Sequence, residues 1–208
     1  MKEMGWVPSE CTFTSVVGAC VKQGNMVEAL RVKDKMVGSG KAMNLVVATS
    51  LMKGYCVLGN LDSALDLFSK ISEDGLVPNK VTYSVLIEGC CNNGNMEKAY
   101  ELFNQMKVMG IPPSVFNVNT LIRGFLKAQL WEEANKLFDE VAECGVANVF
   151  TYNILISWLC KEGKVNEVCS IWDKMVSKGV LPSVVSYNNL ILGHCRNGNM
   201  DIASSVFS

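Results

Sequence analysis

Between Lys80 and Ser114, apolar residues fall at Tyr83, Leu86, Ile87 and Cys90, the i, i+3, i+4, i+7 spacing of a helix that buries one face. Thr82 stands where an N-cap belongs, and Gly94 supplies a left-handed stop. A second stripe, Met96, Ala99, Tyr100, Leu102, Phe103 and Met106, predicts a second helix. Asn95 is its N-cap, and Glu97 sits near the positive end of its dipole. Gly110 ends that helix, and Pro112 and Pro113 prevent any continuation. The segment therefore predicts helix, turn, helix and a short proline-containing loop.

This grammar recurs along the whole chain. Gly5, Gly40, Gly75, Gly110, Gly145 and Gly179 stand 35, 35, 35, 35 and 34 residues apart. Gly24, Gly59, Gly94, Gly163 and Gly198 form a second column, with Gln129 in the remaining seat. Ala29, Ala64, Ala99, Ala134 and Ala203 form a third, with Val168 standing in, and Phe68, Phe103, Phe138, Trp172 and Phe207 a fourth, broken by Lys33. Thr12, Thr82, Asn117, Thr151 and Ser186 fill the predicted first cap column, with Val47 the exception; Asn25, Asn60, Asn95 and Asn199 fill the second. A fixed spacing of this size marks a stacked array of one supersecondary unit, so the fold class is an all-α solenoid of helix-turn-helix repeats. The units run 10–44, 45–79, 80–114, 115–148, 149–183 and a shortened 184–208, after a fragment 1–9 that closes a preceding unit. The chain thus reads as a slice of a longer array. The unit 115–148 is one residue short and lacks the exit proline of its neighbours, which marks its exit loop as the local irregularity.

Composition narrows the functional classes. The 208 residues carry 19% charged side chains and a net charge of −1. That balance alone argues against a nucleic-acid partner, since such proteins are usually basic. No apolar stretch approaches the length of a membrane span; Leu45 to Met52, for example, is ended by Lys53. Nine cysteines, most of them in first-helix columns, show no metal-ligand spacing and read as small buried apolar residues in a reducing compartment. His194 is the single histidine, in a seat taken elsewhere by Cys20, Tyr55, Cys90, Phe125 and Leu159, which favours packing over catalysis. With no glycine-rich phosphate loop, metal cluster or distinctive carboxylate pair, neither an enzyme nor a cofactor is expected.

Certain runs carry a family resemblance. Val81-Thr82-Tyr83-Ser84-Val85-Leu86-Ile87, Phe150-Thr151-Tyr152-Asn153-Ile154-Leu155-Ile156, Glu133-Ala134-Asn135-Lys136-Leu137-Phe138 and Gly75-Leu76-Val77-Pro78-Asn79 resemble the pentatricopeptide repeat family. The uniform unit length looks like its plain subclass of 35-residue repeats, which serves plant mitochondria and chloroplasts. The Trp-x-x-Leu-Gly-x-x-Tyr signature of tetratricopeptide repeats is absent. The resemblance implies a right-handed superhelix whose first helices line a groove for single-stranded RNA, at one base per repeat.

It also implies which residues read bases: one early in each first helix and the last residue of the unit. The pairs are Thr14 with Asn44, Thr49 with Asn79, Ser84 with Ser114, Asn119 with Asn148, and Asn153 with Ser183; Asn188 has no partner. By the family's code they prefer 5′-A-A-N-C/U-C-Y-3′, with the Ser84/Ser114 pair unassigned. The early column is independently unusual, being short and polar among apolar neighbours, with the cap seat filled two residues before it in most units. Three residues earlier lie Cys11, Val46, Val81, Phe116, Phe150 and Val185, on the same face. The family wedges bases between such side chains; ordinary packing between repeats is the other reading of that column. Lys22, Lys127, Lys161 and Arg196 share a column eight residues past the early polar one, suited to phosphates, while Val57 and Asn92 interrupt it. The acids gather on second helices at Glu97, Glu101, Glu132, Glu133, Asp139 and Glu140. The competing function is a protein-binding scaffold, with end-to-end self-association through exposed repeat ends.

Overall fold

The computed structural model describes residues 8–200, so Met1 to Val7, Ala203 and Phe207 lie outside the described residues. Among these there are eleven helices and no strand. First helices are α1 (Glu10–Lys22), α3 (Leu45–Val57), α5 (Lys80–Asn92), α7 (Val115–Lys127), α9 (Val149–Lys161) and α11 (Val184–Arg196). Second helices are α2 (Met26–Gly38), α4 (Leu61–Glu73), α6 (Met96–Val108), α8 (Trp131–Glu143) and α10 (Val165–Ser177). The chain divides into two compact units at Pro113/Ser114. In the first unit, α1, α3 and α5 pack side by side, each against its own second helix; in the second, α7, α9 and α11 form the equivalent row.

The alanine column explains how close the hairpins are. Ala29, Ala64, Ala99 and Ala134 are fully buried, their small side chains letting the paired helices approach, and Val168 in the same seat of α10 is buried too. The aromatic column joins one hairpin to the next. Phe68 meets Tyr83 edge to face at 5.5 Å, Phe138 meets Tyr152 at 5.1 Å, and Trp172 meets Tyr187 at 5.3 Å. A glycine column has its reason only in packing. A Cβ added to Gly89 would strike Cys56 Sγ, and one on Gly193 would strike Cys160 Sγ. Each cysteine thus fills a notch in the following first helix, and α9 puts Trp158 in the glycine seat.

Turn glycines take the left-handed conformation, with φ of 72° at Gly24 and 77° at Gly94; Gln129 takes it too, at 61°. In the short exit loop, Ala147 N–H donates to Val141 O, a bond that the prolines in the equivalent loops cannot make.

Two expectations need correction. The first-helix N-caps are Ser9, Asn44, Asn79, Ser114, Asn148 and Ser183, not Thr12, Thr82, Asn117, Thr151 and Ser186. Thr82, Asn117, Thr151 and Ser186 are instead the third helical residues of capping boxes, returning a bond to the cap's own N–H. Both residues of such a box are good caps in sequence, and only the backbone path chooses between them. Nor are the cysteines uniformly interior: Cys56, Cys90, Cys91 and Cys160 are buried, whereas Cys11, Cys144, Cys169 and Cys195 are exposed.

Candidate nucleic-acid interface

The corrected caps change the chemistry of the last residue in each unit. The Oδ1 of Asn79 accepts from Val81 N–H at 2.9 Å and Thr82 N–H at 3.1 Å. That of Asn148 accepts from Phe150 and Thr151 N–H. The acceptor end of each amide is therefore committed and its rotamer fixed. Among the described residues no protein group takes Asn79 or Asn148 Nδ2, so each presents a donor. Asn44 Nδ2 is engaged, donating to Glu10 and, at 3.3 Å, to Thr14 Oγ1.

The early polar residues are half-buried, apart from exposed Asn188. Thr14 and Ser84 donate back to the carbonyls of Glu10 (3.0 Å) and Lys80 (2.7 Å), so their hydroxyls are not caps. The structure brings four of the five expected pairs together. Two are direct: Asn44 with Thr14, and Asn153 Nδ2 to Ser183 Oγ at 3.3 Å. Two run through the hydroxyl of the capping box. Thr82 Oγ1 lies 3.1 Å from Thr49 Oγ1 and 3.3 Å from Asn79 Oδ1. Thr151 Oγ1 lies 2.8 Å from Asn119 Oδ1 and 3.3 Å from Asn148 Oδ1. Ser84 and Ser114, the unassigned pair, fall in different units.

Two open grooves collect these residues. In the first unit, a groove of about 420 Å³ is lined by Thr49, Asn79, Val46, Val81 and Lys22. In the second, one of about 700 Å³ is lined by Asn153, Ser183, Phe150, Val185, Lys127 and Lys161. Each thus gathers a polar pair, two side chains of the expected wedge column and at least one cation. Val46, Val81, Phe116, Phe150 and Val185 are all more than half exposed, from 53% to 65%, and Cys11 is exposed, which weighs against simple packing between repeats. Thr14, Asn44, Ser84, Ser114, Asn119, Asn148, Asn188, Cys11, Phe116 and Arg196 do not line these two grooves.

Charge is partitioned between the two helix sets. On second helices and the C-cap of α10, Lys98 pairs with Glu101 at 2.8 Å, Lys174 with Asp139 at 2.6 Å and Lys178 with Glu143 at 2.9 Å. Lys178 holds the Glu143 carboxyl below its ordinary value. On first helices, Lys22, Lys127, Lys161 and Arg196 are exposed and have no acidic partner among the described residues. A net charge of −1 therefore coexists with unneutralised cations along the first helices. Sequence reasoning missed Lys53 and Arg123, which line the same two grooves four residues before the cation column. The Arg123/Lys127 spacing of four was the available signal. It also missed Trp158, which lines the second groove.

Models of the PPR repeat match residues 11–40, 46–76, 74–107 and 178–208; the PPR repeat family model matches 147–188, and the pentatricopeptide repeat domain model matches 101–162. A mitochondrial pentatricopeptide repeat-containing protein of Arabidopsis thaliana is 71% identical over 181 residues, covering 87% of this chain and 21% of that protein. The chain thus spans about a fifth of that relative's length. Among solved structures, the pentatricopeptide repeat protein PPR10 in complex with an 18-nucleotide psaJ RNA element aligns with a TM-score of 0.73 at 25% identity, over 99% of this chain and 30% of that one. PPR10 from maize aligns at 0.75 and 27% identity, over 92% and 27%. The PPR domain of Arabidopsis thaliana protein-only RNase P 1 in complex with tRNA shares the fold at 0.70 and 19% identity, over 89% and 98%.

Proposed function

The chain belongs to the pentatricopeptide repeat family, and from that premise we propose that it binds single-stranded RNA through its first helices, one base per repeat, and does not itself catalyse a reaction. The repeats are those that open at residues 10, 45, 80, 115, 149 and 184. The carrying observation is that each groove gathers a polar pair, exposed wedge side chains and cations without counter-ions. These are the three things an unpaired strand needs: edge contacts, stacking surface and phosphate neutralisation.

The base readers are Thr14/Asn44, Thr49/Asn79, Asn119/Asn148, Asn153/Ser183 and Asn188, with Ser84/Ser114 unassigned; the preferred sequence is 5′-A-A-N-C/U-C-Y-3′. Cys11, Val46, Val81, Phe116, Phe150 and Val185 separate successive bases, and Lys22, Lys127, Lys161 and Arg196 meet phosphates. The unit uniformity supports the plain subclass, and the mitochondrial relative supports service in an organelle, mitochondrion or chloroplast, in processing, stability, splicing or translation of a transcript. Selection from a randomised RNA pool tests this. Enrichment of the stated sequence is expected, with binding weakened by salt. No RNA retained at low salt would overturn it in favour of a protein-binding scaffold.

A further inference from the structure

The groove of the second unit holds a feature that the one-base-per-repeat columns do not use. At the position where α3, α5 and α11 carry Gly54, Gly89 and Gly193, α9 carries Trp158. Its indole is stacked on Trp131 of α8, with ring centroids 5.2 Å apart and planes 7° from parallel. Lys164 Nζ lies 5.2 Å from the Trp158 centroid and 5.4 Å from that of Trp131, which adds a cation–π contact to the pair. The ring is thereby held in one pose while it still lines the groove with Arg123, Lys127 and Lys161. A fixed aromatic surface beside three cations without acidic partners matches the chemistry of a nucleotide: a flat base and an anionic phosphate. The corresponding groove of the first unit has Lys22 and Lys53 but no aromatic ring, and a neighbouring hollow holds the carboxylate of Glu88 beside Lys53.

We propose that Trp158 and Arg123 form an additional nucleotide subsite, in which Trp158 stacks an unpaired RNA base and Arg123 holds an adjoining phosphate. This rests on the RNA-binding reading and gives the second unit more affinity per repeat than the first. Because every base has a π-face, the subsite adds affinity without adding base preference.

The test uses the whole chain with short unpaired oligoribonucleotides carrying the selected sequence, read by affinity and by quenching of tryptophan fluorescence. Trp158→Leu is expected to weaken binding by about five- to a hundredfold and to remove most of the quenching. The base profile from pool selection should stay unchanged. Trp158→Phe, which keeps a ring and leaves the fold least disturbed, should retain most of the affinity. Arg123→Gln should lower the salt slope by about 0.7. Unchanged affinity and quenching in Trp158→Leu would overturn the subsite while leaving the RNA reading intact. Wild-type protein that binds no RNA at low salt would overturn both.

Discussion

Thr151 Oγ1 lies 2.8 Å from Asn119 Oδ1, donating its hydroxyl proton across 32 positions of sequence. The donor belongs to the capping box of α9 and the acceptor to the early polar column on α7. Helix initiation in one repeat and side-chain orientation in the preceding one are thus a single network. Thr82 ties Thr49 to Asn79 in the same way within the first unit.

Removing that hydroxyl should be felt twice. Thr151→Val keeps the shape, breaks the box and leaves Asn119 Oδ1 without its donor. It should cost about 1–3 kcal/mol of stability, read from the midpoint of urea unfolding, and broaden the base preference at the fourth position. A wild-type midpoint together with an unaltered base profile would show that the link does neither job.

Asn79 allows a cleaner separation of cap from reader. Asp is as good an N-cap as Asn, so Asn79→Asp should unfold within about 0.5 kcal/mol of wild type. It exchanges the free amide donor for an acceptor, and the second base preference should move from adenine toward guanine in a pool selection. A preference that stays on adenine would remove Asn79 from the reading pair.

Gln129 occupies a glycine seat with φ of 61°. A side chain in the left-handed region costs about 1–2 kcal/mol, and this one is exposed, with no hydrogen bond among the described residues to offset it. Gln129→Gly should therefore raise stability by about 1 kcal/mol, visible as a higher melting temperature with RNA affinity unchanged. A lower melting temperature would count against this account of the turn.

Burial pushes the Cys56 thiol from its ordinary 9.0 up to about 11, and those of Cys90 and Cys91 up to about 12. The folded state thus favours the protonated form of each. Their contribution to stability is complete below pH 9, where both states are protonated, and is lost as pH rises from there through 11 to 12. Alkylation of the native protein at pH 8 should reach Cys11, Cys144, Cys169 and Cys195 and spare Cys56, Cys90 and Cys91. Equal labelling rates at all of these positions would show that the first helices open readily.

Much was legible before any coordinates. The glycine, alanine and aromatic columns gave the period, and the period gave hairpins, because a residue recurring every 35 positions meets the same neighbour each time. The polar early column was visible as a departure from the helical apolar pattern, whereas the exposure of the apolar column three residues before it was not. Less legible was anything that depended on which of two suitable residues, three positions apart, is used. Asn79 and Thr82 both suit an N-cap, and sequence alone set the wrong one at the helix start. Net charge hides a further feature for a related reason: it sums over the chain, whereas Lys174 and Lys178 are paired with acids one repeat away and the first-helix cations have no acidic partner among the described residues.

By itself the sequence determined the repeat, its two helices, its turns and the faces that are apolar or polar, since these follow from local spacing and backbone preference. Tertiary structure decided what reaches across repeats: the Thr151–Asn119 link, the Cys56 sulfur in its glycine notch, and the stacking of Trp158 on Trp131. Such contacts depend on the distance and rotation between stacked hairpins. Those are set by how buried side chains of successive repeats interlock, and no single repeat contains that information.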